Sequence, residues 1–426
     1  MRVFKFGGAS VKDADGVKNL ASVLTLFMGE PLVVVISAMG KTTNALEKVV
    51  QAYYNKVGNA KDSLQEVKKY HLQIADQLGL ASDTSLQKEI ENSFVEIEWM
   101  LEEEPSKGYG FAYDQIVSQG EILSTRIVSA YLEKQNISNQ WLDVRDCLIT
   151  DNNYREANVD WELTQILVSK KILPFLVKTD LVVTQGFIAA TTENFTTTLG
   201  REGSDYTAAI LSYCLDAKEM TVWKDVPGVL SADPKYYEDA VKLEQISYHD
   251  AIELTYYGAT VIHPKTIKPL ENKNIPLRVC SFTSPKEKGT SIGNYNATKP
   301  LVPSFIFKPN QILLSISAKD FSFIAEEHLS SIFSIFARHH AKINLMQNSA
   351  ISFSVCLDND AFKMPALLHD LQKQFKVLYN ENLRLVTVRH YYPSTLDVLV
   401  KGKTILLEQR SRQTAQVVMK EASFIS

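Results

Sequence analysis

Short apolar runs alternate with longer amphipathic stretches over the first two thirds of the chain. Val3–Phe6, Leu32–Ser37, Leu181–Val183 and Thr221–Trp223 are apolar or β-branched and sit beside Gly or Pro, the pattern of strands. Lys48 to Glu104 is polar, poor in Gly and Pro, and apolar at helical spacing, as in Val67, Leu72 and Ile74. It predicts a long helical hairpin inserted after the second strand. Gln115–Leu132 predicts a further helix, with Ile116, Ile122, Leu123, Ile127, Val128 and Leu132 clustered on one side. Strands interleaved with helices predict an α/β sandwich around a largely parallel sheet.

The last third reads differently. Gln311–Ser317 predicts a strand, Leu329–His340 a helix, Lys342–Met346 and Ile351–Leu357 two strands, Ala361–Phe375 a helix and Leu383–His390 a strand. That is the split βαββαβ plan of small ligand-sensing modules. Thr404–Leu407 and Ala415–Met419 supply strands for a second, abbreviated copy, whose helix shrinks to about Pro393–Val400. Between the two regions, Thr283–Ser304 is rich in Ser, Thr, Pro, Gly and Lys and reads as a linker. The expected division is 1–285, a linker at 286–304, and a second domain at 305–426. All but one of the 18 glycines precede residue 294. Close backbone approach to phosphate needs Gly, so nucleotide chemistry belongs to the first region.

Composition narrows the function classes. The 426 residues carry 45 Lys plus Arg against 49 Asp plus Glu, a net charge of −4, which predicts neither a nucleic-acid nor an anionic-membrane partner. The apolar run Leu32–Ala38 is far short of the ~20 residues of a membrane span. The N-terminal stretch reads as a strand and lacks the apolar core of a signal peptide. Cys147, Cys214, Cys280 and Cys356 are isolated among apolar neighbours, as expected of reduced thiols in a cytoplasmic protein. His71, His249, His263 and His369 lack metal-ligand spacing, so no protein metal centre is expected.

Four segments carry candidate chemistry. In Lys5-Phe6-Gly7-Gly8-Ala9-Ser10 a strand runs into a Gly pair, and Ser10 with Asp13 resembles the cap of a following helix. Paired glycines admit phosphate oxygens to a helix N-terminus, and Lys5 adds a full charge. The pattern GxxxxGK[ST] is absent, so this is no P-loop. Thr196 to Asp205 packs hydroxyls, glycines, Arg201 and Asp205 ahead of an apolar helix from Tyr206 to Leu215. Such a helix start suits an anion, and Arg201 offers a planar fork for a carboxylate or phosphate. Trp223 to Val229, with Asp233-Pro234-Lys235, ends a strand in a Pro-Gly turn, where α/β sheets place ligands. Glu121, in Ser118-Gln119-Gly120-Glu121, is an acid inside an apolar helix and needs a buried or cleft-facing partner.

In order and spacing these segments resemble an aspartate kinase of the amino-acid kinase superfamily over nearly the whole chain. The matching residues are Lys5-Phe6-Gly7-Gly8 with Ser10-Val11, Gly120-Glu121 with Ser124-Thr125, Gln185-Gly186-Phe187-Ile188, Thr197 to Arg201, and Gly203-Ser204-Asp205-Tyr206. Asp225-Val226-Pro227-Gly228, Asp233-Pro234, Gly258-Ala259 and His263-Pro264 complete the set. The last third resembles the paired ACT modules of that family. The resemblance implies a three-layer α/β/α catalytic domain with ferredoxin-like ACT modules, cytoplasmic and dimeric through the ACT region. It implies phosphoryl transfer from ATP, with Mg2+, to the side-chain carboxylate of L-aspartate, under feedback by an amino-acid end product, lysine foremost. By resemblance Lys5 and Asp205 are catalytic, and Thr43, Glu121 and Arg201 bind aspartate. Lys5, Gly7, Gly8, Ser10, Gly203, Ser204, Lys224, Asp225, Leu230, Lys235 and Thr260 bind the nucleotide. Asn344, Ser349 and Ile351 mark the effector site.

Several positions depart from the family pattern. Ala9 replaces a Thr, and Glu202 stands where Gly is frequent. Lys224, Leu230, Lys235 and Thr260 stand where Thr, Tyr, Arg and Lys surround the nucleotide. Asn344 stands for an Asp and Ala350 for a Glu, which removes two partners for a cationic effector. The rival readings are another enzyme of the superfamily, acting on glutamate, carbamate or a nucleotide monophosphate, and an amino-acid-sensing subunit without catalysis.

Overall fold

The computed structural model describes residues 1–259, 262–320 and 322–420. In chain order the first elements are β1 (Arg2–Phe6), α1 (Ala14–Thr25), β2 (Leu32–Ile36), α2 (Thr42–Asn55), α3 (Ala60–Gln77), α4 (Thr84–Glu102), α5 (Tyr109–Val117) and α6 (Gln119–Lys134). β3 (Gln140–Leu142), α7 (Trp161–Lys178), β4 (Leu181–Gln185), β5 (Ile188–Ala190), β6 (Thr196–Thr198), α8 (Gly203–Cys214) and β7 (Glu219–Lys224) follow. Then come β8 (Gln245–Ser247), α9 (Tyr248–Tyr257), α10 (Pro264–Asn272), β9 (Leu277–Ser281) and β10 (Thr290–Gly293). The chain forms two compact units. One comprises Met1–Val229, Lys242–Ile252 and Thr260–Lys299, the other Leu230–Val241, Glu253–Ala259 and Pro300–Ser426.

The first unit is built on an eight-stranded sheet in the order β3-β4-β2-β1-β7-β9-β10-β8, parallel except where β10 runs against β9. β2 and β4 are buried at every position. Helices cover both faces of such a sheet, so its inner strands read as unbroken apolar runs. Register sets Lys5 level with Val35 on β2 and Val222 on β7, so the carboxyl ends of these strands open together. Phe6 and Trp223 stack 5.9 Å apart beneath that end. The four cysteines are buried and unpaired. No helix among the described residues is long and apolar enough to cross a membrane.

The helical insertion differs from the hairpin expected over 48–104. It is three helices, α2, α3 and α4, starting at Thr42. The breaks fall at Lys56 and Gly58, and again at Gly79, all with positive φ. These positions end helices in the left-handed conformation, which the helical periodicity on either side conceals. The helix expected over 115–132 is likewise two, α5 and α6, which meet at Ser118.

The second unit holds β11 (Ser304–Ala318), α11 (Glu326–Arg338), β12 (Ile343–Asn348), β13 (Phe353–Asp358), α12 (Met364–Gln374), β14 (Phe375–Arg389), α13 (Pro393–Val400), β15 (Ile405–Arg410) and β16 (Thr414–Lys420). Its six-stranded antiparallel sheet runs β12-β13-β11-β14-β16-β15. β11 and β14 are each 15 residues long and pair along their whole length, with register shifts between Lys308 and Leu313. Sequence reading begins these strands at Gln311 and Leu383. Pro309 and the positive φ of Asn310 and Asn382 interrupt the alternation at the bulge, so each long strand reads as its second half. The stretch expected as linker contributes β10 to the first unit's sheet and, at Ser304, the start of β11. Ile312, Leu314, Ile332, Phe336, Phe353, Leu367 and Leu371 form the core beneath α11 and α12.

Candidate active site

A cleft of about 810 Å³ opens at the carboxyl ends of the central strands of the first unit. Lys5 reaches it from β1, and its Nζ lies 2.7 Å from Asp205 Oδ1 in the first turn of α8. The side chains are 12% and 4% exposed, so the charges face each other with little solvent between. The contact is an ion pair by distance, and its alignment falls short of a hydrogen bond. Asp205 also gains from the positive end of the α8 dipole. Gly7 packs against the pair: a Cβ there would stand 3.3 Å from Lys5 Nζ.

The turn after β2 forms the next wall, and it is pinned from several elements. Gly40 N–H donates to Gly8 O at 3.0 Å. A Cβ on Gly8 would come within 2.7 Å of Ala38 O and 2.8 Å of Gly40 O, so only glycine lets the β1 and β2 turns approach. Ser124 Oγ donates to Ser37 O at 2.7 Å. Thr42 Oγ1 donates to Met39 O at 2.7 Å and lies 3.4 Å from His71 Nε2. Burial holds His71 neutral, with its pKa pushed down to about 4. Ala38 N–H donates to Glu121 Oε1 at 3.3 Å, while Glu121 Oε2 is buried with no hydrogen-bond partner. Burial lifts the Glu121 carboxyl to about 8, against the opposing pull of the Ala38 amide and Lys5. When this carboxyl is ionised, its lone oxygen needs a donor. A ligand ammonium would supply one.

The opposite wall comes from Asn153-Tyr154-Arg155-Glu156, Phe187 and the turn Gly200–Asp205. Asp114, wholly buried on α5, fastens this wall. It accepts the Thr198 hydroxyl at 2.7 Å, the Thr198 amide at 3.0 Å and the Arg155 amide at 3.0 and 3.2 Å. Burial raises its carboxyl to about 6 in spite of these bonds. Glu202 caps α8 with φ 55°, and its Oε2 is buried with no hydrogen-bond partner.

The structure brings Lys5, Thr43, Glu121, Arg201, Gly203, Ser204, Asp205 and Lys224 to one cleft. Gly7, Gly8 and Ser10 follow β1 but are not among the residues lining the cleft, and Asp225 is exposed next to Lys224. Leu230 and Lys235 belong to the second unit, and Thr260 lies outside the described residues. Asn344, Ser349 and Ile351 are in the second unit, Asn344 on β12 and the others just beyond it. Sequence reasoning missed Ser37, Tyr113, the segment 153–156 and Phe187. Two signals pointed there: the turn-rich Asp151-Asn152-Asn153, and Asp114 as an acid within an apolar helix.

Comparison with known proteins agrees with this geometry. Residues 1–281 match the Amino acid kinase family. The lysine-sensitive aspartokinase 3 of Escherichia coli K12 is 31% identical over 393 residues, covering 91% of this chain and 86% of its own. The chloroplastic aspartokinase 3 of Arabidopsis thaliana is 32% identical over 431 residues, covering 96% of this chain and 74% of its own. The fold superimposes on E. coli aspartokinase III in complex with aspartate and ADP, with a TM-score of 0.82 at 28% identity, over 99% of this chain and 96% of that one. The lysine and aspartate complex of the same enzyme gives a TM-score of 0.84 at 28% identity, over 98% and 95%. The superposition takes in both the parallel α/β sheet and the antiparallel sheet of this chain. The chain belongs to the amino acid kinase family and, within it, to the aspartokinases.

Proposed function

We propose that this chain transfers the γ-phosphoryl group of ATP to the side-chain carboxylate of L-aspartate, giving 4-phospho-L-aspartate. The observation that carries the reading is the buried Lys5–Asp205 pair, which opens onto the same cleft as Glu121 and Arg201. An aspartate carboxylate is already ionised at neutral pH, so the acceptor needs no general base. The work left to the protein is to hold two anions in line and offset their charge. Lys5 stabilises charge on the transferring phosphoryl group, and Asp205 orients Lys5. Gly203 and Ser204 meet the phosphates at the start of α8, with Gly7, Gly8, Ser10, Lys224 and Asp225 at the nucleotide end. Arg201 forks the α-carboxylate, Glu121 takes the ammonium and Thr43 contacts the substrate.

Mg2+ belongs to the proposal. Among the described residues no group of three or more His, Cys, Asp or Glu could hold a metal alone. Mg2+ needs only one or two carboxylates when substrate phosphates complete its shell. Asp205 and Glu202 fit that demand, since the buried Glu202 oxygen has no protein partner. The ion would neutralise phosphate charge during transfer.

The second unit is the proposed regulatory region, a tandem ACT pair that senses an amino acid, lysine first, and joins two chains into a homodimer. The four buried, unpaired cysteines support a cytoplasmic setting. The test of the activity is an assay with ATP and Mg2+ on L-aspartate and L-glutamate in parallel, with the acyl phosphate trapped by hydroxylamine. Hydroxamate from aspartate alone is the expected result. Hydroxamate from glutamate alone, or from neither, would overturn the reading.

A further inference from the structure

Arg155 sits in the cleft with a backbone that its residue type resists. Its φ is 73°, in the left-handed region that a residue with a Cβ rarely adopts. The conformation is held from outside, because its amide donates to both oxygens of buried Asp114. Glycine would take this backbone without strain. The chain instead has an arginine, whose side chain makes two ring contacts and one long ion pair, with Glu47. The guanidinium carbon lies 4.6 Å from the Tyr113 ring centre and 5.4 Å from that of Tyr109. The nearest carboxylate, Glu47, is 3.8 Å away, too far for a hydrogen bond, and the Arg155 side chain is 46% exposed. Among the described residues the guanidinium donates no hydrogen bond. An arginine resting on aromatic faces is usually a packing device. Here that reading leaves the backbone strain unexplained, and strained residues cluster where a side chain must be presented to a ligand.

The position says which ligand. Glu47 is one helical turn beyond Thr43 on α2, and Tyr113 lines the cleft with Thr43 and Glu121. Arg155 therefore stands beside Tyr113, in the cleft that also holds Thr43 and Glu121, the residues proposed for the amino acid. The two tyrosine faces hold the guanidinium, whose N–H groups donate no hydrogen bond among the described residues. We propose that Arg155 is a second carboxylate-binding arginine of this site, which acts beside Arg201 and makes the site select an acidic amino acid.

This proposal rests on the aspartate kinase reading, and the experiment separates the two. Arg155→Gly removes the guanidinium and relieves the backbone, so it folds at least as well as the parent protein. Arg155→Lys keeps the charge and loses the fork. Calorimetric titration with L-aspartate, with steady-state KM values for aspartate and ATP, is run on all three full-length proteins. Expected for the Gly variant is aspartate affinity weakened roughly tenfold or more, the usual cost of losing a charge-assisted contact. Its ATP KM stays within about twofold, and its melting temperature is unchanged or higher; Lys restores only part of the affinity. An aspartate affinity for Arg155→Gly within about twofold of the parent overturns the proposal, as does a rise in ATP KM alone. Aspartate that binds the parent but is never phosphorylated would overturn the kinase reading and leave the role of Arg155 to be decided by the binding data.

Discussion

Lys5 Nζ and Asp205 Oδ1 stand 2.7 Å apart, although 200 residues separate them in the chain. The sheet register brings them together, since β1 lies between β2 and β7 and α8 leads directly into β7. A nearly dry ion pair is costly to break, because the surviving charge is left uncompensated. Such a pair in a cleft wall is a rigid, pre-aimed charge, which is what a developing phosphoryl anion requires.

Lys5→Ala should therefore lower turnover by ~10²–10³ and change the aspartate KM little, because the interaction grows during transfer. Steady-state kinetics with circular dichroism as a folding control checks this. Near-normal turnover would show Lys5 to be structural.

Glu121 predicts a pH dependence with a definite sign. With its carboxyl raised by burial to about 8, the free enzyme holds Glu121 protonated at neutral pH. An ammonium ion binds the ionised form, so aspartate binding expels a proton. Affinity for aspartate should then rise with pH between about 6 and 8 and level off above. Calorimetry in buffers of different ionisation heat would show release of up to one proton. The same shift makes the native state bind the extra proton, so this group's contribution to stability falls as pH rises from about 4.5 to about 8. Glu121→Gln should raise the aspartate KM and flatten the pH profile. A pH-independent aspartate affinity in the parent enzyme would refute the assignment.

Asp114 should prove structural to the site's far wall. Asn in its place presents an N–H2 group to the amides and hydroxyl that now donate to it. The one oxygen that Asn keeps cannot hold the whole set in its present geometry, and a buried donor left without an acceptor costs about 1–3 kcal/mol. Asp114→Asn should lower the denaturant midpoint and raise the aspartate KM by loosening the segment that carries Arg155. Unchanged unfolding curves would rule this out.

The sequence made part of this legible, for reasons seen in particular residues. Lys5, Gly203 and Asp205 lie in segments that are weak signals singly and were picked out by the order and spacing of the motifs together; all three line the cleft. Glu121 stood out as an acid among apolar helical neighbours. Arg155 and Tyr113 did not, because an arginine in a polar turn and a tyrosine on an apolar helix are ordinary until the backbone angle and the cleft are known. The helix break at Ser118 was hidden for a related reason: a non-glycine residue can end a helix without punctuation at that position, while at Lys56–Gly58 the helical spacing on either side outweighed one glycine. The long strands β11 and β14 were halved by bulge residues that pairing, not propensity, carries through.

The last prediction concerns the second unit. Asn344, expected at the effector site, is already engaged: Oδ1 accepts Lys308 Nζ at 2.8 Å, and Nδ2 donates to Gln311 Oε1 and Asp358 Oδ1 at 2.8 Å each. The Lys308 stem packs where Gly258, at φ 114°, leaves room, since a Cβ there would fall 2.4 Å from Lys308 Cε. Burial lowers the pKa of Lys308, opposed by the Asp358 charge. The chain thus places its own ammonium where the resemblance places a cationic effector. Ser349 is occupied too, bonded to Ser352. Free lysine has to displace Lys308, so lysine inhibition of the parent enzyme should be weak. Lys308→Met vacates the position and leaves Asn344 and Asp358 for a ligand ammonium. It should tighten lysine inhibition by about fivefold or more, the lower range of allosteric coupling. Inhibition curves for lysine on the two full-length enzymes, at fixed aspartate and ATP, make the comparison. Equal curves would show that Lys308 and the effector do not compete, and that any effector binds away from Asn344.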